Sequence, residues 1–182
     1  TAIGATALNY NTKGSNNIAV GSAALFNNKE GNYNIATGNN ALHNNTDGSN
    51  NIAMGTNALY ANTTGIQNVA IGANSISVNT TGNYNVATGT EALQSNTGSW
   101  NVANGHQALK ANTTGNSNIA IGANSLGSNV GGSNNVAMGS SALQANKTGI
   151  QNIAIGEIAL SNNVSGSGNV AIGYQTLFIG AA

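Results

Sequence analysis

The stretch "NTTGIQNVAIGANSISVNTTGNYNVATG", from Asn62 to Gly89, contains nearly the same pattern twice, with the two copies seventeen residues apart. In the first copy, Asn68–Gly72 places Val and Ile at alternate positions, with Asn and Ala between them. Such alternation is typical of a short β-strand with two different faces. The "NTTG" that precedes each strand is typical of a turn, because Asn and Gly both tolerate backbone conformations that other residues avoid.

The same unit continues along the whole chain. The steps between successive strand-ending glycines are all 17 residues except the step from Gly89 to Gly105, which is 16 because one "NTTG" turn is shortened to "NTG" at residues 96–98. The chain of 182 residues is therefore predicted to be a single repeat array, 1–182, and a segment of a longer fibre protein. The glycines are Gly4, Gly21, Gly38, Gly55, Gly72, Gly89, Gly105, Gly122, Gly139, Gly156 and Gly173.

The repeat predicts an all-β fold, a parallel β-solenoid or β-roll of about ten 17-residue coils. Helices broken this often by Gly and by Thr/Asn/Gly clusters would not form. We expect a second short strand in each coil, around "NALY" (Asn57–Tyr60) and "EALQ" (Glu91–Gln94). At the usual interstrand spacing of about 4.8 Å, ten coils would make a rod on the order of 50 Å long. One coil cannot offset its own ordering entropy, so stability must come from stacking.

Two rows of large apolar residues are predicted to form the core, since they recur in register. The Ile/Val row contains Ile18, Ile35, Ile52, Val69, Val86, Val102, Ile119, Val136, Ile153 and Val170. The Leu row contains Leu8, Leu25, Leu42, Leu59, Leu93, Leu109, Leu126, Leu143, Leu160 and Leu177.

The alanine that follows each Ile or Val is present in every copy, for example Ala19, Ala36, Ala53 and Ala70. Alternation places it on the face opposite the Ile/Val row. A position kept this small must pack closely against the other wall of the coil or against another chain. We favour the second hypothesis, in which three chains pack around one axis.

Two asparagine rows are predicted to be structural ladders, because stacked identical amides hydrogen-bond to one another. The first row is Asn17, Asn34, Asn51, Asn68, Asn85, Asn101, Asn118, Asn135, Asn152 and Asn169. The second row is Asn11, Asn28, Asn45, Asn62, Asn79, Asn96, Asn112, Asn129, Asn146 and Asn163.

The composition argues against several functions. The chain has four Lys and no Arg against four Asp and Glu, so it lacks the cations that nucleic acids and anionic membrane surfaces require. No apolar run approaches the length of a membrane span. Cysteine is absent, which removes disulfides and thiolate metal sites. We therefore expect no nucleic-acid partner, no membrane insertion by this segment and no cofactor.

The segments "NNIAVG", "NVAIG" and "NIAIGANS" resemble the head repeats of trimeric autotransporter adhesins. The longer unit "NNIAMGTNALYANTTG" (Asn50–Gly65) resembles repeats of bacterial and phage tail-fibre proteins. The resemblance implies a left-handed β-roll, three chains per rod and adhesion at a bacterial surface. The adhesin head repeats are shorter than 17 residues, so each coil here would have an extra turn or a wider cross-section.

Groups that could perform chemistry are scattered. The two histidines, His43 and His106, fall four coils apart and cannot share a metal, and the carboxylates form no evident pair. Tyr33, Tyr84 and Trp100 occupy one repeat position, just before the strand asparagine. They would either pack locally over a turn or form a ligand-contact stripe, since aromatic rings stack on sugars.

We therefore expect a non-enzymatic structural segment of an extracellular or cell-surface fibre or adhesin. It would act as a rigid self-associating rod in surface attachment or cell–cell contact. The alternatives are a receptor-binding shaft of a phage tail fibre on a virion, and a carbohydrate-binding module on a solenoid scaffold that recognises surface glycans or a host receptor. Ice binding ranks low, because the residue before each strand-ending glycine varies from Val20 to Thr37 to Asn104 instead of forming a flat Thr array.

Overall fold

The computed structural model of the protein describes residues 1–178 and is a parallel β-solenoid, as the repeat predicts. Eleven short strands form one sheet in sequence order, and each strand pairs only with those of the adjacent coils. The last four residues of the predicted array lie outside the described residues. The strands are β1 (Ala2–Ile3), β2 (Ile18–Val20), β3 (Ile35–Thr37), β4 (Ile52–Met54), β5 (Val69–Ile71), β6 (Val86–Thr88), β7 (Val102–Asn104), β8 (Ile119–Ile121), β9 (Val136–Met138), β10 (Ile153–Ile155) and β11 (Val170–Ile172).

The coils stack in register, so that each residue faces its counterpart one coil away. Val69 pairs with Val86, and Ala70 pairs with Ala87. The register is kept across the 16-residue coil, where Ala87 pairs with Ala103. Because every coil repeats the same shape, its backbone donors and acceptors can be satisfied by the coils before and after it.

The predicted second strand is wrong. Asn57–Tyr60 and Glu91–Gln94 form turns, in which Asn57 and Leu59 have φ values of 56° and 51°. A strand cannot contain such left-handed residues, and Leu in this region costs roughly 1–2 kcal/mol. Intercoil hydrogen bonds hold the conformation: the Leu59 amide donates to the Ser75 carbonyl at 3.0 Å, and the Asn57 amide donates to the Asn39 carbonyl at 3.0 Å.

The interior of the coil is narrow and contains Ala, Leu and Asn side chains. Leu59 and Ala58 are fully buried, and Ile76 takes the place of Leu in the next coil. The Leu row is buried from Leu25 to Leu160, including Leu42 and Leu93, whereas Leu177 is exposed. The predicted Leu core is therefore present over most of the rod.

The two faces of each strand are reversed relative to the prediction. Ala19, Ala36, Ala53 and Ala70 are fully buried inside their own coil, so they do not pack against a second chain. The Ile/Val row, predicted as core, faces outward: Ile119 is 39% exposed, whereas the adjacent Ala120 is 0% exposed. The interior holds only a methyl group between the strand and the Leu and Asn side chains, which accounts for the recurrent alanine.

Candidate functional site

The asparagines that precede the strands form a buried amide ladder along the rod. The Asn68 side-chain amide donates to the Gly82 carbonyl at 2.9 Å and to Asn51 Oδ1 at 3.2 Å. Its own Oδ1 accepts from the backbone N–H of Asn85 at 3.0 Å. The same three hydrogen bonds recur along the row from Asn51 to Asn152, with Asn17, Asn34 and Asn169 at its ends. Because these polar groups already have partners within the rod, this row is structural and offers little to a ligand.

The second asparagine row is interrupted at the 16-residue coil. Elsewhere each side-chain amide donates to the preceding asparagine and to a glycine carbonyl three residues later, as Asn79 does to Asn62 at 2.9 Å and to Gly82 at 3.0 Å. Asn96, in the shortened turn, donates to Gly98 at 2.8 Å. Asn79 Oδ1 is consequently the one buried side-chain polar atom within residues 1–178 that has no hydrogen-bond partner. The deletion is accommodated, at the cost of one unsatisfied acceptor.

The three predicted ligand-contact residues do not form one stripe. Tyr84 and Trp100 stack in parallel, with ring centroids 3.9 Å apart and an interplanar angle of 9°. Trp100 is 58% exposed. Tyr33 lies three coils before Tyr84, and the same position in the coils between them is occupied by Asn50 and Gln67. The structure therefore brings two of the three residues together and leaves Tyr33 apart.

A second aromatic group was not predicted from the sequence. Phe26 and His43 stack with centroids 5.0 Å apart, and His43 and Tyr60 stack at 5.2 Å. Tyr10 contacts Phe26 edge-on at 4.9 Å. Three of these residues directly follow a residue of the Leu row: Phe26, His43 and Tyr60. Their 17-residue spacing alone would therefore have predicted that they stack. We call Tyr10, Phe26, His43 and Tyr60 the aromatic column.

A surface depression lies at the end of the aromatic column. Its volume is about 400 Å³, and its lining includes Tyr60, Ser77 and Val78 together with Asn57 and Asn74. This volume is within the range of roughly 300–1,000 Å³ that is usual for small-molecule sites. The depression combines one aromatic ring, a short apolar wall and several neutral amides.

Two ion pairs occur within residues 1–178, one partly buried and one exposed. Lys110 Nζ lies 2.8 Å from Glu91 Oε2, and Gln107 donates to the same oxygen at 2.8 Å. The hydrogen bond from Lys110, followed by that from Gln107, lowers the pKa of the Glu91 carboxyl. Lys13 and Glu30 form the second pair at 2.7 Å.

The two histidines, His43 and His106, lie in different coils of the rod. Across residues 1–178, no three His, Asp or Glu side chains come close enough together to hold a metal ion. His43 belongs to the aromatic column, where its Nδ1 lies 2.9 Å from Asn44 Oδ1.

The outward side of the strands is an apolar surface that runs along the rod. The first strand residue is Ile or Val in coil after coil, and the third is often Ile or Met. Ile71, Met138 and Ile155 are each 37–39% exposed. We call this surface the strand face. Exposed Ile, Val and Met side chains continue along it from Ile18 to Ile172, whereas soluble monomers usually expose apolar patches of a few hundred Å².

No helix in residues 1–178 has the length and apolar character of a membrane span. Comparisons with protein-family models, with curated proteins and with solved structures gave no match to this chain.

Proposed function

We propose that the chain is a rod segment of an extracellular fibre or adhesin, on a bacterial surface or a virion tail, in which three copies pack through the strand face. The observation that supports this proposal best is the continuous outward row of Ile and Val. Water contact with such a row is unfavourable by roughly 25 cal/mol per Å², so burial against another copy would stabilise the assembly.

A second copy of the chain is the partner that fits the strand face best. The face repeats at the coil spacing over eleven strands, and an identical chain carries apolar rows with the same period. The number three and the left-handed winding follow from the resemblance to adhesin head repeats.

The mechanical argument also favours a fibre. Each coil makes hydrogen bonds to the next coil through its backbone and through its asparagine side chains. Bending the rod would therefore strain many hydrogen bonds at once. With eight charged side chains among 182 residues, the surface interacts weakly with ions, nucleic acids and charged lipids. Such a segment would hold a binding domain at a fixed distance from the surface that carries it.

Sedimentation equilibrium of the purified chain tests the proposal. We expect a mass three times the chain mass of 18.0 kDa. The double variant Ile119→Lys and Ile121→Lys places two charges on the strand face and should sediment as a monomer. The matched control, Thr64→Lys and Thr114→Lys, adds the same charge at exposed turn positions and should remain trimeric. A monomeric or dimeric parent chain would contradict the proposed trimer.

A further inference from the structure

The aromatic column ends abruptly at Tyr60. One face of the Tyr60 ring stacks on His43, with an interplanar angle of 22°. In the next coil the corresponding residue is Ser77, whose small side chain leaves the other side of Tyr60 open to the depression of about 400 Å³. The recess therefore lies where the run of aromatic residues in this row stops.

One wall of the depression is a short ladder of asparagine amides. Asn40 Nδ2 donates to Asn57 Oδ1 at 3.3 Å, and Asn57 Nδ2 donates to Asn74 Oδ1 at 3.1 Å. An amide group has two N–H donors and an oxygen with two lone pairs, so each of these contacts uses only part of its capacity. The remaining donors and acceptors can hydrogen-bond to a ligand in the depression.

Apart from Ser77, the rest of the lining is apolar or aromatic. Val78 is 49% exposed and lines the depression together with Tyr60 and Ala61. The face of an aromatic ring carries partial negative charge, and it attracts C–H groups that carry partial positive charge. The lining has no charged residue, which disfavours phosphate, carboxylate and ammonium ligands.

A ligand that fits these walls must have a flat C–H-bearing face and a rim of neutral hydroxyl or amide groups. A pyranose ring has both: its axial C–H groups can lie on Tyr60, and its hydroxyls can bond to Asn57 and Asn74. We propose that the depression beside Tyr60 binds one neutral sugar residue of a glycan. This site is separate from the Tyr84–Trp100 pair and does not depend on trimer formation through the strand face.

The test begins with the full chain on an array of neutral oligosaccharides built from hexoses and N-acetylhexosamines, followed by calorimetric titration of the best ligand. We expect Tyr60→Ala to weaken binding about tenfold or more, and Tyr60→Phe to retain most of it. Trp100→Ala should leave it unchanged, because Trp100 does not line the depression. Circular dichroism of each variant verifies that the β-structure is kept.

The decisive variant is Ser77→Tyr, which extends the aromatic column by one ring and fills the depression. The repeat position of Ser77 already holds aromatic residues in three earlier coils, at Phe26, His43 and Tyr60. The coil can therefore accept the new ring. The matched control is Gln144→Tyr, which adds the same residue to the same row four coils later. We expect Ser77→Tyr to abolish binding and Gln144→Tyr to preserve it. No binding of any neutral saccharide, or binding that survives Ser77→Tyr, would overturn the proposal.

Discussion

The side-chain amide of Asn62 donates to Asn45 Oδ1 at 2.7 Å, so two buried side chains seventeen residues apart join successive coils inside the rod. The same Nδ2 atom donates to the Gly65 carbonyl at 3.0 Å, and Asn62 Oδ1 accepts from Asn79. One side chain thus satisfies its own coil and both neighbours.

We expect Asn62→Ala to lower the free energy of unfolding by on the order of 3 kcal/mol, because it leaves partners in three coils unsatisfied. Urea denaturation at fixed protein concentration measures the change. The control is Thr64→Ala, an exposed change in the same turn that should stay within about 0.5 kcal/mol. A loss no larger than that of the control would contradict a structural role for the amide row.

Lengthening the 16-residue coil should stabilise the protein. Insertion of a threonine after Thr97 restores the "NTTG" turn and should bring the Asn96 amide to Asn79 Oδ1, whose lack of a partner costs about 1–3 kcal/mol. We expect a higher urea midpoint. The matched control inserts a threonine after Thr113, in a turn that is already full length, and should lower the midpoint. If both insertions lower it, the short turn is not the source of the unsatisfied acceptor.

The narrow interior makes the size of the strand alanine critical. Ala87→Val adds two methyl groups to a fully buried position and should cost about 1–3 kcal/mol through overpacking. Thr88→Val introduces the same side chain one residue later, on the exposed side of β6, and should be close to neutral. Thermal unfolding of both variants checks the assignment of faces. Equal effects at the two positions would argue against it.

Gly72 should not accept a side chain. Its φ is +128°, and an added Cβ would lie 2.6 Å from the carbonyl carbon of Gly89 in the next coil. Backbone strain and the clash act together, so we expect Gly72→Ala to cost more than about 3 kcal/mol or to prevent folding. Gly131→Ala is the control, because the nearest atom to its added Cβ is the Thr114 hydroxyl at 3.4 Å. Soluble expression and circular dichroism distinguish the two outcomes.

Stability should depend only weakly on pH, with a small loss in acid. The pKa of Glu91 is lowered by Lys110, so its contribution is present above the usual carboxyl pKa and is lost as the pH falls through the lowered value. We expect Glu91→Gln to reduce this loss of stability in acid, measured as the unfolding temperature between about pH 3 and 7. The control is Glu157→Gln, which should leave the loss of stability in acid unchanged. Glu157 is exposed and forms no ion pair within residues 1–178. A Glu91→Gln profile identical to that of the parent chain would refute the assignment.

The sequence predicts the solenoid and its coil length well, because the spacing of repeated residues determines which ones stack. It does not determine which strand face points inward. The alternation of Val69, Ala70 and Ile71 is the same either way, and large apolar residues usually favour the interior. The reversal arises because the coil is too narrow for a Val or Ile side chain at this point, a tertiary property that no local pattern contains.

The turns show a different limit of sequence reasoning. The sequence predicts a strand at "NALY", yet Leu59 adopts a positive φ that Leu rarely takes, and intercoil hydrogen bonds hold it there. The depression beside Tyr60 could have been found by comparing Ser77 with the aromatic residues at the same repeat position. Its amide wall depends on side-chain contacts that spacing alone does not reveal.

In-register stacking also bears on how such a chain can change over generations. Every coil presents nearly the same upper and lower surface, so deleting or duplicating one whole repeat would leave the buried rows continuous. Recombination between neighbouring copies would then alter the length of the rod in steps of about 4.8 Å. The shortened turn at Asn96 shows that a partial step leaves an acceptor without a donor, so we expect selection to favour the gain and loss of complete units.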